Sequence, residues 1–242
     1  MVSKNQIKLI TNLVQKKFRK EQHLFIAEGK KVIEELLLSN FELYHVFFTK
    51  PMFSNVLESK KTLINDADLA KITALKTAND CLAVFKIPIA KEIISSGLIL
   101  ALDDIRDPGN LGTIIRLCDW YGIQQIVCSE QTVDIYNPKV IQATMGSIAR
   151  VNIIYNDLEK YLSTTKMPVF GTFMQGENIY KSNLPARGII VLGNEANGIS
   201  KPIENLITNR ITIPRFGNIQ ATESLNVATA TAIVLSEFKR ND

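Results

Sequence analysis

Histidine is nearly absent from the chain: its 242 residues include two, His23 and His45, both in the first third. Neither has a neighbour that would complete a metal set or a catalytic triad. The three cysteines, Cys81, Cys118 and Cys128, are odd in number, far apart and without a Cys-x-x-Cys pair, which excludes a disulfide framework and a zinc site. No metal is therefore expected. No apolar run reaches the ~18 residues of a membrane span, and residues Met1 to Ile10 alternate polar with apolar side chains instead of building a signal-peptide core. A soluble, cytoplasmic protein is expected. Gly-x-Gly-x-x-Gly does not occur, and the Gly193 to Gly198 spacing runs on into Ile199-Ser200 where a phosphate loop needs Lys-Ser or Lys-Thr. A Gly-x-Ser-x-Gly elbow is missing too, so dinucleotide, triphosphate and serine-hydrolase readings all lose support.

What is present describes an ordinary folded chain, 46% hydrophobic and 21% charged, of a length that suits one small domain and one medium one. Charge is unevenly spread. Met1 to Ser96 carries 15 basic against 10 acidic residues, and Gly97 to Asp242 carries 13 against 14. Lys16, Lys17, Arg19 and Lys20 form the densest basic cluster, and such a cluster attracts a polyanion by counterion release without reading sequence. The same four residues could equally be a solvated helix face.

Ile7 to Phe18 has near-helical apolar spacing with lysines between, which predicts one amphipathic helix. Strands are predicted at Leu24 to Ile26, Tyr44 to Phe48 and Cys81 to Phe85, with helices at Lys30 to Leu38 and Asp66 to Lys71: a small α/β domain over residues 1–90. Ile87 to Ser96 reads as a linker. From residue 97 to 242 the pattern changes to apolar strands at Leu98 to Leu102, Gln125 to Cys128, Val151 to Ile154, Val169 to Phe173, Gly188 to Leu192 and Arg210 to Ile213. These alternate with helices near Leu111 to Trp120, Pro138 to Gly146, Asp157 to Leu162 and Leu225 to Phe238. Strands buried on both faces and separated by helices predict a parallel sheet covered on both sides.

Three motifs punctuate this second domain. Leu102-Asp103-Asp104-Ile105-Arg106-Asp107-Pro108-Gly109-Asn110 is turn chemistry after a strand, with Arg116 about one and a half turns into the helix that follows. Gly193-Asn194-Glu195-Ala196-Asn197-Gly198 is a glycine-bounded loop after a buried strand. Ile211-Thr212-Ile213-Pro214-Arg215-Phe216-Gly217, continuing to Glu223-Ser224-Leu225-Asn226, sets polar residues at the mouth of an apolar helix, where Ser224 could also serve merely as an N-cap.

In order and co-occurrence these motifs closely resemble the three motifs of SpoU (TrmH-like) RNA 2′-O-ribose methyltransferases. Asp134-Ile135-Tyr136-Asn137-Pro138-Lys139 and Ala143-Thr144-Met145-Gly146-Ser147 are similar to the family as well. The likeness covers about Leu100 to Glu237. Phe25-Ile26-Ala27-Glu28-Gly29 resembles the RNA substrate-binding domain that often precedes it. The resemblance implies an α/β fold of the SPOUT class, its parallel sheet tied at the C-terminal end in a deep trefoil knot by the segments Gly193 to Gly198 and Ile213 to Asn226. It further implies S-adenosylmethionine as cofactor, a homodimer with sites completed across the interface, and RNA as partner. Ribosomal RNA is favoured over transfer RNA because minimal transfer-RNA enzymes of the family often lack the first domain. A catalytically silent RNA-binding protein is the alternative from another class.

Carried over position by position, Asn110, Arg116, Glu195, Ser224 and Asn226 match the family's catalytic residues. Gly193, Ile213 and Leu225 match positions that hold the cofactor through backbone groups, and Thr172 is placed at the pocket's edge as the end of a strand. Arg116 is the family's proposed general base. Because a guanidinium stays protonated in proteins, a fixed cation that holds phosphate or a developing oxyanion asks less of the chemistry.

Overall fold

The computed structural model describes residues 1–89, 92–218 and 224–240. Two compact units emerge, one of Met1–Ile89 with Asp134–Ala149 and one of Ala90–Val133 with Arg150–Asp242. The segment 134–149, which the sequence assigned to the second domain, packs with the first.

The first unit is built on a four-stranded sheet of order β1-β4-β2-β3, comprising β1 (Leu24–Glu28), β2 (Leu43–Phe48), β3 (Lys61–Leu63) and β4 (Cys81–Lys86). β4 is antiparallel to β1 and β2, and β3 joins parallel to β2. Every residue of β1 is buried, so the strand is covered on both faces. Ile26 and Val84 face a cluster with Ile10, Leu13 and Leu69. The Phe25 ring meets Phe85 at 5.8 Å and Tyr136, from the inserted segment, at 4.8 Å. Glu28 ends β1 buried, its carboxylate accepting from the Ala74 N–H at 2.8 Å and from the Thr73 hydroxyl, while burial pushes its pKa up. Gly29 turns the chain into the helix that begins at Lys30 with φ +88, a value that favours glycine.

The single helix predicted over Ile7 to Phe18 is two: α1 (Lys4–Asn12) and α2 (Lys16–Gln22), broken at the extended Gln15. Arg19 explains the break and corrects its own assignment. It is 2% exposed, donates through Nη1 to the carbonyls of Leu13 and Val14 at 2.8 Å each, and donates through Nε to Asp134 at 2.9 Å. It caps the end of the first helix and pins the inserted segment, so it cannot also meet a phosphate in solvent. Lys16, Lys17 and Lys20 remain exposed. Helices α3 (Lys30–Leu37), α4 (Asp66–Ala70) and α6 (Pro138–Thr144) complete this unit.

The second unit is an all-parallel six-stranded sheet of order β10-β8-β9-β5-β6-β7. Its strands are β5 (Leu98–Leu102), β6 (Gln125–Cys128), β7 (Asn152–Tyr155), β8 (Val169–Asn178), β9 (Gly188–Leu192) and β10 (Asn209–Thr212). All residues of β5, β6 and β9 are buried, as parallel strands with both faces covered must be. One face packs Ile99, Ala101, Val127, Ile189 and Val191 against α7 (Leu158–Thr164) and α8 (Lys201–Glu204). The helices α5 (Pro108–Trp120) and α9 (Val227–Phe238) pack on each other. β8 runs past the predicted end at Phe173, so Thr172 lies inside a strand and does not end one. The third-motif residues 219–223, which belong to the expected knot, lie outside the described residues. Among the described residues no helix is long and apolar enough to cross a membrane.

Removing one partner of a buried ion pair strands the other charge, so Arg19→Ala is expected to destabilise the first unit by about 3 kcal/mol. Replacing Lys16, Lys17 and Lys20 with Ala should move its stability by less than about 0.5 kcal/mol, because exposed substitutions away from buried networks rarely do more. Urea unfolding of the three proteins, read by near-ultraviolet circular dichroism, checks both values.

Candidate active site

In an open parallel sheet a ligand crevice forms where the connections from two adjacent strands leave in opposite directions. That place here is between β5, which leads on to β6, and β9, which leads away towards β10. Leu102 and Leu192 pair as the last residues of these two strands, so their loops leave the sheet at one level. The loops are then lashed together. Asn194 Nδ2 donates to the Asp104 carbonyl at 2.8 Å, and the Ser200 N–H donates to the buried Asp103 carboxylate at 2.7 Å.

The loop after β9 folds back on itself through paired main-chain bonds between Asn194 and Gly198, and the Asn194 Oδ1 accepts from the N–H groups of Ala196 and Asn197. Gly193 is required for this. A Cβ there would lie 2.2 Å from the Gly198 carbonyl carbon and 2.3 Å from the Ile199 nitrogen.

Asp107-Pro108-Gly109-Asn110 becomes the cap and first turn of α5: Asp107 accepts from the Asn110 N–H at 2.7 Å and Pro108 takes the first helical position. The Asn110 side chain is thereby fixed between the other two motifs. Its Nδ2 donates to Glu195 Oε1 at 2.6 Å, and its Oδ1 accepts from Asn226 Nδ2 at 2.9 Å. The Oδ1 of Asn226 in turn accepts from the Ala228 and Thr229 N–H groups and caps α9. The direction of this relay is forced from both ends. An ionised carboxylate only accepts and a helix N-terminus only donates, so each amide between them has one allowed orientation.

The structure therefore brings Asn110, Glu195 and Asn226 into one hydrogen-bonded chain. Ser224 is exposed, does not cap α9 and makes no hydrogen bond to another described residue. Arg116 is also exposed and without a partner among the described residues; six residues beyond Asn110, it lies roughly 240° further round α5. Asp103, Asp104 and Asn194 hold the loops together although none was singled out from the sequence. Polar side chains placed directly after two wholly buried strands were the available signal.

Gly193, Ile213 and Leu225 each have main-chain groups that bond to no other described residue, and no hydrogen bond among described residues joins the three. Leu225 is 47% exposed, Ile213 is half-buried, and Phe216 is open to solvent. Thr172, on the neighbouring strand, donates its hydroxyl to the Val191 carbonyl at 3.3 Å. Unpaired main-chain donors and acceptors next to half-open apolar side chains fit a flat, neutral heterocycle held mainly by backbone, as the adenine of S-adenosylmethionine would be.

An all-parallel α/β unit with a polar relay at its strand switch places the chain among α/β proteins with a ligand crevice at the ends of their strands. Residues 97–236 match the SpoU rRNA Methylase family, and the chain belongs to that family. Residues 4–83 match the MRM3-like substrate binding domain. The chain is 27% identical, over 98% of its length and 97% of the relative's, to the 23S rRNA (guanosine(2553)-2′-O)-methyltransferase RlmP of Bacillus subtilis. Among solved structures it resembles a TrmH-family protein from Porphyromonas gingivalis, with 36% identity, a TM-score of 0.91 and full coverage of both chains. An AdoMet-bound rRNA methyltransferase from Sinorhizobium meliloti has a TM-score of 0.85 at 27% identity, covering 99% of this chain and 97% of its own.

Gly193→Ala is expected to destabilise the second unit by at least about 2 kcal/mol, since the added methyl meets backbone that cannot give way. The control Gly217→Ala, where a Cβ meets nothing within 4 Å, should be nearly silent. Thermal unfolding of both variants reads the difference.

Proposed function

We propose that this protein transfers a methyl group from S-adenosylmethionine to a ribose 2′-hydroxyl of ribosomal RNA, in the cytoplasm and as a homodimer. The observation that carries the reading is the Glu195–Asn110–Asn226 relay, which joins all three motifs at the strand switch. When bound, the cofactor would supply a methyl group on a sulfonium to the ribose oxygen, leaving as the neutral thioether, with the hydroxyl proton passing to solvent water. The chain's part is alignment. Glu195 holds Asn110, Asn110 holds Asn226, and Asn226 fixes the start of α9 directly after Ser224 and Leu225, so the residues that flank the ligands stand on a rigid support. Gly193, Ile213 and Leu225 hold the heterocycle through main-chain groups, with Thr172 bracing the strand behind them. Ser224, without a hydrogen bond to another described residue, orients the target ribose.

Arg116 has no hydrogen bond or ion pair with these or any other described residues. Trp120 lies one turn further along α5 on the same side and is 84% exposed, so the two make an unpartnered stripe of a cation and a large aromatic ring. Buried against a second copy, that stripe completes the partner's site with a fixed positive charge. In the first unit, Lys16, Lys17 and Lys20 provide phosphate attraction without sequence reading.

With radiolabelled S-adenosylmethionine, label is expected in a ribosomal RNA transcript as a 2′-O-methyl nucleoside, with less in transfer RNA. Asn110→Ala should slow single-turnover transfer roughly 10²-fold, the cost of losing one preorganised donor. Label found on a base, or in neither RNA, would overturn the proposal. The Lys16/Lys17/Lys20→Ala triple variant should bind RNA with a shallower dependence of log affinity on log salt, by about 0.7 to 0.9 for each phosphate no longer neutralised. An unchanged slope removes these lysines from the interface.

A further inference from the structure

The two loops that form the site are acidic. Asp104, Asp107 and Glu195 lie on residues 103–110 and 193–200, and the buried Asp103 is turned inward onto the Ser200 N–H. A polyanion approaching these loops is repelled unless a cation stands among them. One basic residue occurs in the two stretches, Arg106. Its Nε donates to Asp104 Oδ1 at 2.8 Å, while its Nη1 and Nη2 donors meet no described residue and the side chain is 70% exposed.

Taken alone, an exposed pair two residues apart contributes little. The anchoring of Asp104 makes this one different. Its backbone is left-handed at φ +59, a conformation a non-glycine residue holds only when its surroundings dictate it. Its N–H donates to the hydroxyl of the buried Ser129 at 2.9 Å, and its carbonyl accepts from Asn194 Nδ2 at 2.8 Å. The next residue is tied down as well, the Ile105 N–H to Thr132 Oγ1 at 3.3 Å and the Ile105 carbonyl to the Val133 N–H at 2.8 Å. A carboxylate locked on both sides of its main chain thus aims a guanidinium fork outward, one residue before the cap of α5. The hydrogen bond to Asp104, and then the Asp104 charge, push the Arg106 pKa further up, so the fork stays cationic at any working pH.

We propose that Arg106, pinned by Asp104, is a preorganised anchor for an RNA phosphate at the mouth of the site. The inference rests on the reading of the protein as an RNA methyltransferase and names a binding residue that is not among those carried over from the family. The planar fork suits a bidentate grip on a phosphodiester, and the pin removes the rotamer freedom that such a grip would otherwise cost. Arg106 is a binding residue here and takes no proton.

Direct binding of a ribosomal RNA transcript, measured without cofactor across a salt series, tests the anchor independently of turnover. Arg106→Ala should weaken binding roughly tenfold, the scale of one charged hydrogen bond, and flatten the salt slope by about 0.7 to 0.9. Asp104→Asn discriminates by sign. Asn tolerates the left-handed backbone, so the loop keeps its shape while the pin is weakened and net charge rises by one. A preorganised anchor makes this variant bind RNA more weakly than wild type, whereas a merely electrostatic Arg106 makes it bind more tightly and overturns the proposal. S-adenosylmethionine affinity by calorimetry should be the same in all three proteins; a loss confined to that arm would place Arg106 on the cofactor's carboxylate and also overturn it. An Arg106→Ala protein with wild-type affinity and slope does the same. Failure of the wild-type protein to methylate or bind RNA would instead count against the methyltransferase reading itself, and it is read on a different protein from the variants.

Discussion

Because β5 and β9 pair in register and end together at Leu102 and Leu192, the loops that follow them begin at the same height with their carbonyls and amides side by side. Everything polar in the site descends from that alignment. Asp103 and Asp104 can reach Ser200 and Asn194 only because neither strand overshoots the other. A slip of one residue would turn every side chain of a strand to its opposite face, and since both faces of β5 and β9 are buried, it is the close fit of side chains such as Ile99, Ala101, Ile189 and Val191 in the packed core that opposes it. The packed core therefore sets the registry of the two loops from a distance.

Upon that platform a single primary amide connects three distant stretches of chain. Asn110 is suited to this because it both donates and accepts. Asp in its place would set a carboxylate against Glu195, and Leu would leave the Asn226 amide and the Glu195 oxygen without each other. The relay ends in the N-terminus of α9, whose unpaired N–H groups give it a fixed polarity. Its members are partly open to solvent, so each bond alone contributes modestly. What the chain gains is a defined position for the residues just before α9.

Much of this was legible in the sequence, and the parts that were not have separate causes. The bounds of β5, β6 and β9 follow from uninterrupted apolar runs between turn residues, since a strand buried on both faces needs no partner-specific information to be recognised. Asn110, Glu195 and Asn226 were found through motif order. The division of the first helix was hidden because Val14 and Phe18 keep i, i+4 spacing across the break, and what interrupts it is Arg19 reaching back to two carbonyls. β3 and α8 are three and four residues long, too short to carry a period. Segment 134–149 announces its helix through Asn137-Pro138, yet nothing local says that Tyr136 will stack on Phe25. There the deciding contact is remote in sequence, whereas the helix break and the short elements are hidden by local spacing and by length.

Arg19 and Arg106 show how weakly residue type predicts electrostatic role. Arg19 sits in the most basic cluster of the chain, yet it is buried and spent on Asp134 and on helix-end carbonyls, so the field that cluster presents to solvent comes from three lysines. Arg106 sits among carboxylates in a unit of nearly balanced charge, and it keeps its fork open because its one partner is itself immobilised by Ser129 and Asn194. Attraction and placement of a polyanion ask for different things. Attraction needs mobile, exposed, flexible charge, which lysines on α2 supply at long range and which salt screens within ~8–10 Å. Placement needs a charge whose geometry is settled before the ligand arrives, and carboxylates around it sharpen the choice by repelling phosphates everywhere else on the same two loops.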